Sequence, residues 1–285
     1  MNMATHVQQH YVPEFLLRQW HSGGDNKLTQ YQWLRGELRA DRFTAKAVAK
    51  EPHLYSQRKN EVTPDVGLER DFLGPHIDEP AAMVHQKILV EGQKNLNDQE
   101  RYEWSRFLLS LLVRGPEMIQ FMHQTGRQLM EKAMDERPDG LMHIRHGESE
   151  SSLKEWARKN RQHILDDVGV RTLPAVLTSP EINKAILSGT WSTVSLKDSN
   201  VDALIADNPV VYLGDIGRGF SFMLPITPEL AFVVTSSPRD TEQALALRRT
   251  GLTKAINRGL VKNARKYVYA TGPGHEELIE KHLRK

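Results

Sequence analysis

The chain has 285 residues, 39% hydrophobic and 26% charged. That balance excludes extended disorder, and the length allows a large core without metals or disulfides. A formal charge of +2 is too weak to argue for nucleic acid by itself, and the lack of cysteine excludes disulfides, thiolate zinc sites and cysteine nucleophiles and fits a reducing cytoplasm.

The opening "MNMATHVQQH" holds no long apolar stretch, so no signal peptide is expected. The greasiest run, Phe107 to Val113, has the length of a core helix segment rather than a membrane span. Pro13 suits a first helical turn, where its missing N–H costs nothing. Phe15, Leu16, Leu17 and Trp20 follow on one side at helical spacing, an apolar face that has to dock. "KLTQYQW" and "ELRADRF" flank "LRG" and read as a hairpin. "FTAKAVAKEPHLYS" reads as a third strand or an irregular arm.

From Leu68 to Glu136 the period is helical. Asn97 and Glu100 form a capping-box start, and Trp104, Phe107, Leu108, Leu111 and Leu112 make a buried stripe. "RGPE" breaks the helix at Gly115 and restarts it at Pro116. The polar stretch 136–152 reads as a mobile loop. Helical character resumes through "LKEWARKNRQHILDDV", and Ser179-Pro180-Glu181 opens a short helix. A β block follows ("TWSTVSL", "ALIADNPVVYL", "FSFMLPI", "LAFVVTS"), then a long helix near Thr241 to Asn263, "KYVYATG" and a terminal helix. The expected fold is one α+β domain over residues 1–285: an N-terminal helix and hairpin, a central helical bundle, and a mostly antiparallel C-terminal sheet with a long helix.

Several polar groups admit two readings. Asp207, in "DNPV", ends an apolar strand, where a carboxylate sits on a rigid support, yet Asp, Asn and Pro also make an ordinary turn. Glu69, Asp71, Asp78 and Glu79 could gather on a hard cation or simply favour positive helix ends. Arg114 closes the greasiest helix and could clamp a phosphate or pair with a carboxylate. His143, His146 and Glu148 have chelating types but lie in the polar loop. Lys254, Arg258 and Lys262 step by four and share a helix face, which could track a phosphate backbone or merely be solvated. No P-loop, G-x-G-x-x-G, H-E-x-x-H or G-x-S-x-G motif is present.

"HYVPEFLLRQW" resembles the start of a bacterial family known as domain of unknown function 4238. "LERDFLGPHIDEPAA", "WSRFLLSLLVRGPEMI", "ALIADNPV", "FMLPITPEL" and "AINRGLVKNARKYVYA" resemble its later segments, so the likeness runs from about His10 to Ala270. Ala206 stands where that family often has a hydroxyl residue. The resemblance implies that His10, Tyr11, Glu69, Asp78, Arg114, Asp207, Asn208 and Asn257 are its matching polar positions, and it implies no reaction.

Two function classes remain. In the first, the protein is a nuclease or phosphodiesterase dependent on Mg²⁺ or Mn²⁺ and acting on nucleic acid or a nucleotide. Glu69, Asp78 and Asp207 hold the metal, His10 moves a proton, and Arg114, with Asp207 and Asn208, completes the catalytic set. In the second, a non-catalytic binding or sensor module, the same residues form a structural network that locks the N-terminal segment onto the sheet. No membrane partner is expected.

Overall fold

The computed structural model describes residues 7–58, 64–136, 152–215, 218–246 and 249–284. The architecture is α+β, with helices grouped in the middle of the chain and antiparallel strands on both sides of them. Among the described residues no helix is long and apolar enough to cross a membrane.

The opening segment is docked. Strand β1 (Gln8–His10) leads into α1 (Glu14–Leu17), which tightens into a 3₁₀ turn over Arg18–Trp20. This is a shorter helix than the spacing suggests, because His21 already has an extended backbone (ψ 137°). Pro13 sits one place before the helix proper, as its N-cap. Val12, Leu16, Leu17 and Trp20 are fully buried, and the Trp20 indole donates to the Ala203 carbonyl at 2.7 Å. Burial of these side chains, each worth on the order of 2 kcal/mol, fixes a segment whose single helical turn has little stability of its own.

The hairpin is present as β2 (Leu28–Leu34) and β3 (Glu37–Phe43). Arg35 and Gly36 turn it at φ 51° and 84°, the two positive φ values that a tight two-residue connection needs. The next stretch does not extend the hairpin. It bends at Ala49 (φ 50°) and places β4 (Lys50–Pro52) antiparallel to β1, with His10 opposite Lys50. A two-residue ladder joins β5 (Gln57–Arg58) to β6 (Pro64–Asp65).

Leu68–Asp78 is wound as a wide π-helix that runs on into α2 (Glu79–Glu91). An α-helix does start at Glu79, with Asp78 as its N-cap and Pro80 in its first turn, but it continues the π-helix, so Asp78 and Glu79 do not stand at a free positive end. Gly74 and Pro75 lie in the wide part, where a residue without an N–H cannot complete an ordinary α-ladder. Helix α3 (Asp98–Val113) has the expected capping box: Asn97 accepts from the Glu100 N–H at 2.9 Å and the Glu100 carboxylate accepts from the Asn97 N–H at 2.8 Å. The break at Gly115 holds, and α4 (Pro116–Asp135) follows. Helices α5 (Leu153–Asn160), α6 (Gln162–Leu177) and α7 (Pro180–Leu187) complete the central group. α4 and α6 cross closely at Gly169, where a Cβ would lie 2.3 Å from the Met122 backbone. Of the loop expected at 136–152, residues 137–151 lie outside the described residues, and with them His143, His146 and Glu148.

The C-terminal strands divide between two sheets instead of forming one. β7 (Thr190–Ser195), β9 (Val211–Asp215), β10 (Gly219–Thr227) and β11 (Leu230–Thr235) pair in the order β7-β11-β10-β9. The "ALIA" strand, β8 (Ile205–Ala206), instead pairs with β12 (Val268–Ala270), and β12 pairs with β2 of the hairpin. The reason is burial. Residues Ala203 to Ala206 and Val268 to Ala270 are at most 1% exposed, so β8, although the edge strand of its sheet, is covered on both faces where it lies. The expected long tail helix is two helices, α8 (Pro238–Leu245) and α9 (Arg249–Asn263), followed by α10 (Glu276–His282). One large buried cluster joins Tyr11, Trp20, Trp104, Phe107, Phe232 and Tyr269, and so ties the opening segment, the central helices and both sheets together.

Candidate functional site

Four of the expected site residues gather at the end of α3. Arg114 follows the last turn of that helix, and its side chain is fully buried. Its Nη1 donates to Asp78 Oδ1 at 2.8 Å and its Nε to the Tyr11 carbonyl at 3.0 Å, while its own carbonyl accepts from the Tyr55 hydroxyl at 2.8 Å. The guanidinium thus ties the π-helical stretch to the opening segment. Glu69 and His10 lie within electrostatic reach of it. Burial, reinforced by the Asp78 charge, pushes the Glu69 carboxyl up to about 7, with Arg114 pulling the other way. Burial also raises Asp78, again against Arg114. Burial, then Lys50, holds the His10 imidazole below its usual value. Three buried polar atoms of this group have no hydrogen-bond partner among the described residues: Arg114 Nη2, Glu69 Oε2 and His10 Nε2.

Asp207 lies in a different place. It ends the β8 strand, and its carboxylate folds back over the start of the β12 segment. Oδ1 accepts from the Arg265 N–H at 2.8 Å, and Oδ2 accepts from the Lys266 and Tyr267 N–H groups at 2.7 and 2.9 Å. Its own N–H donates to the Tyr267 carbonyl at 3.0 Å. Burial raises its pKa, and the three donors oppose that shift. No hydrogen bond or ion pair joins Asp207 to Glu69, Asp78 or Arg114. Glu69, Asp78 and Asp207, expected as a metal set, are thus engaged separately. Among the described residues no three His, Asp or Glu side chains are close enough together to hold a metal ion.

Tyr11 separates the two places. Its backbone carbonyl serves Arg114, and its side chain lines a cleft of about 230 Å³ next to Asp207. Leu111, Leu112 and Met118 make the apolar wall of that cleft, and Asp207, Arg265 and Lys266 part of its polar one. Arg265 is drawn toward Glu51 at 3.2 Å and Glu117 at 3.6 Å, both also on the rim. Lys266 Nζ stands 5.0 Å from the Tyr267 ring. Asn208 is exposed and makes a long hydrogen bond, 3.5 Å, to the Asn263 carbonyl. Asn257 is structural: it accepts from the Leu204 N–H at 2.8 Å and donates to the Asp202 carbonyl at 2.9 Å, which pins the strand before Asp207 to α9.

Sequence reasoning passed over Tyr55, Glu117 and Tyr267. Tyr55 sits in the arm that shows no period, and its partners, the Arg114 carbonyl and the Gln9 side chain on its N–H at 2.6 Å, lie far away in sequence. A buried tyrosine is a residue whose hydroxyl needs a partner, but no local pattern names that partner.

No curated protein and no solved structure matches the chain. A family model described as "Protein of unknown function (DUF4238)" matches residues 8–272, which include every residue of the Arg114 group and of the Asp207 turn, and the chain belongs to that family.

Proposed function

We propose that this protein is a cytoplasmic binding module. The cleft beside Tyr11 takes a small organic ligand, and the polar residues behind it hold its walls. The carrying observation is the state of Asp207. A carboxylate offers about four lone-pair sites, and three backbone N–H groups already occupy Asp207, while Asp78 is engaged by Arg114. That leaves Asp207 about one free lone-pair site, and a cation drawn to Asp78 would compete with the Arg114 guanidinium for the same carboxylate. The apolar wall of Leu111, Leu112 and Met118 opposite Lys266 suits a ligand with an apolar body and one anionic group. The test uses small carboxylates and phosphates in thermal melts of wild type and Met118→Trp, which fills the mouth of the cleft. A ligand at about a hundred times its Kd should stabilise wild type by about 2.7 kcal/mol and leave the variant unmoved. Cleavage of DNA, RNA or a cyclic nucleotide with Mg²⁺ or Mn²⁺, lost in an Asp207→Asn protein of unchanged melt, would overturn the reading.

A second reading rests on the unpartnered atoms around Arg114. Glu69, poised near neutrality, and His10 are the groups that metal-free cleavage of a phosphodiester would use to move a proton, with Arg114 Nη2 to meet the developing charge. That reading expects Glu69→Gln and His10→Gln to abolish turnover without lowering the melt.

A further inference from the structure

The face between α9 and α10 carries cations that no described residue neutralises. Lys254, Arg258 and Lys262 are all exposed and step along one side of α9, at a rise of about 6 Å per four residues. α10 packs against α9 and brings Lys281 and His282 beside them. The His282 imidazole is held below its ordinary value by desolvation and then by the charges of Lys262, Arg258 and Lys281, so these cations share one field. Between the two helices lies a cleft of about 320 Å³, lined on its polar side by Lys254, Arg258, His275, Lys281, His282 and Glu277.

Several other surface cations have a carboxylate beside them: Arg18 with Glu14, Arg42 with Asp25, Lys87 with Glu100, Arg158 with Glu131. Lys254, Arg258, Lys262 and Lys281 make no ion pair or hydrogen bond with any described residue. Three carboxylates stand close by without pairing with them, and two of these, Asp202 and Glu276, act on the His275 imidazole. Asp202 accepts from the Thr271 hydroxyl at 2.9 Å, Glu276 takes the Tyr31 hydroxyl and the Gly274 N–H, and Glu277 alone faces the cleft. Four cations held near the one carboxylate that lines the cleft repel one another on balance, and an external polyanion relieves that repulsion.

We propose that the α9–α10 cleft binds the phosphate groups of a nucleotide or of a nucleic-acid strand. Lysine and arginine at steps of four can follow successive phosphates, and the half-buried imidazoles of His275 and His282 add donors. No Phe, Tyr or Trp lines the cleft, so no aromatic platform holds a base, and binding is to the phosphates and indifferent to sequence. This site is on a different face from the Tyr11 cleft and stands or falls separately from it.

The test is fluorescence anisotropy of the full chain with a short labelled oligothymidylate, and competition by adenosine triphosphate, from about 50 to about 200 mM salt. Wild type should bind. The triple variant Lys254→Gln, Arg258→Gln, Lys281→Gln should bind at least about tenfold more weakly, with the salt slope shallower by about 0.7 for each phosphate that is no longer neutralised. A melt in the same buffer checks that the variant is folded, and should it not be, Arg258→Gln alone should weaken binding severalfold. Displacement by the triphosphate at comparable concentration assigns the cleft to a free nucleotide, and failure to displace assigns it to a strand. Wild type that binds neither probe at the lower salt, or a folded triple variant that binds like wild type, overturns the proposal.

Discussion

Two regions of this molecule concentrate charge, and they do so in opposite ways. In the interior, around Arg114 and separately at the Asp207 turn, the charged groups are buried and engaged across long sequence distances: Arg114 with Asp78 and the Tyr11 carbonyl, Asp207 with three backbone donors. Between α9 and α10 the cations Lys254, Arg258, Lys262 and Lys281 are exposed and have no partner among the described residues. The difference separates residues that hold the fold from residues available to a ligand. Loss of a buried, engaged charge leaves its partner stranded, whereas loss of an exposed, unengaged one costs the fold nothing and costs only what it would bind.

The largest effect should come from Arg114→Met. It leaves Asp78 buried without its partner and the Tyr11 carbonyl without its donor, and urea unfolding should show a loss of about 3–5 kcal/mol. A loss below about 1 kcal/mol would break the comparison at its stronger end. Next comes Asp207→Ala, which strands three backbone N–H groups and should cost roughly 2–4 kcal/mol. Asp207→Asn should cost less, because it keeps one carbonyl acceptor for the same turn.

Glu69 sharpens the comparison through pH. Its pKa is raised from 4.5 in the unfolded chain to about 7 in the fold. The folded state therefore holds this proton more tightly. Its contribution to stability is complete below about pH 4.5 and is lost as pH rises through about 7. Glu69→Gln removes the titration. The difference in unfolding free energy between variant and wild type should shift in favour of the variant as pH goes from about 5 to about 8, by on the order of 2 kcal/mol once water access is allowed for. A flat difference would place Glu69 in a wetter setting than the fold implies. The smallest effect belongs to the other region. Lys254→Gln, Arg258→Gln and Lys281→Gln should each move stability by less than about 0.5 kcal/mol, since no partner is stranded.

What the sequence made legible follows the range of the forces involved. The α+β class, the capping box at Asn97, the break at Gly115 and the docked face of Leu16, Leu17 and Trp20 were all readable, because local periodicity and cap chemistry set them. The pairing of β8 with β12, the return of the arm to β1 and the π-winding around Pro75 were not. Strand partners are chosen by burial across the whole chain, and a wide helix reads at short range like an ordinary one. That Arg114 pairs with a carboxylate was visible as an alternative, since a buried guanidinium demands one. The destination of Asp207 was not visible, because its three partners are backbone groups and carry no residue-type signature.

The central claim is that these carboxylates are committed to the fold. The most direct test is a pair of thermal melts, wild type and Asp207→Asn, each with EDTA and with Mn²⁺ in large excess. The account predicts that Asp207→Asn melts below wild type by the same margin in both buffers, and that Mn²⁺ moves neither protein. A melting temperature of wild type that climbs with Mn²⁺ by mass action, and a variant that does not follow, would contradict it.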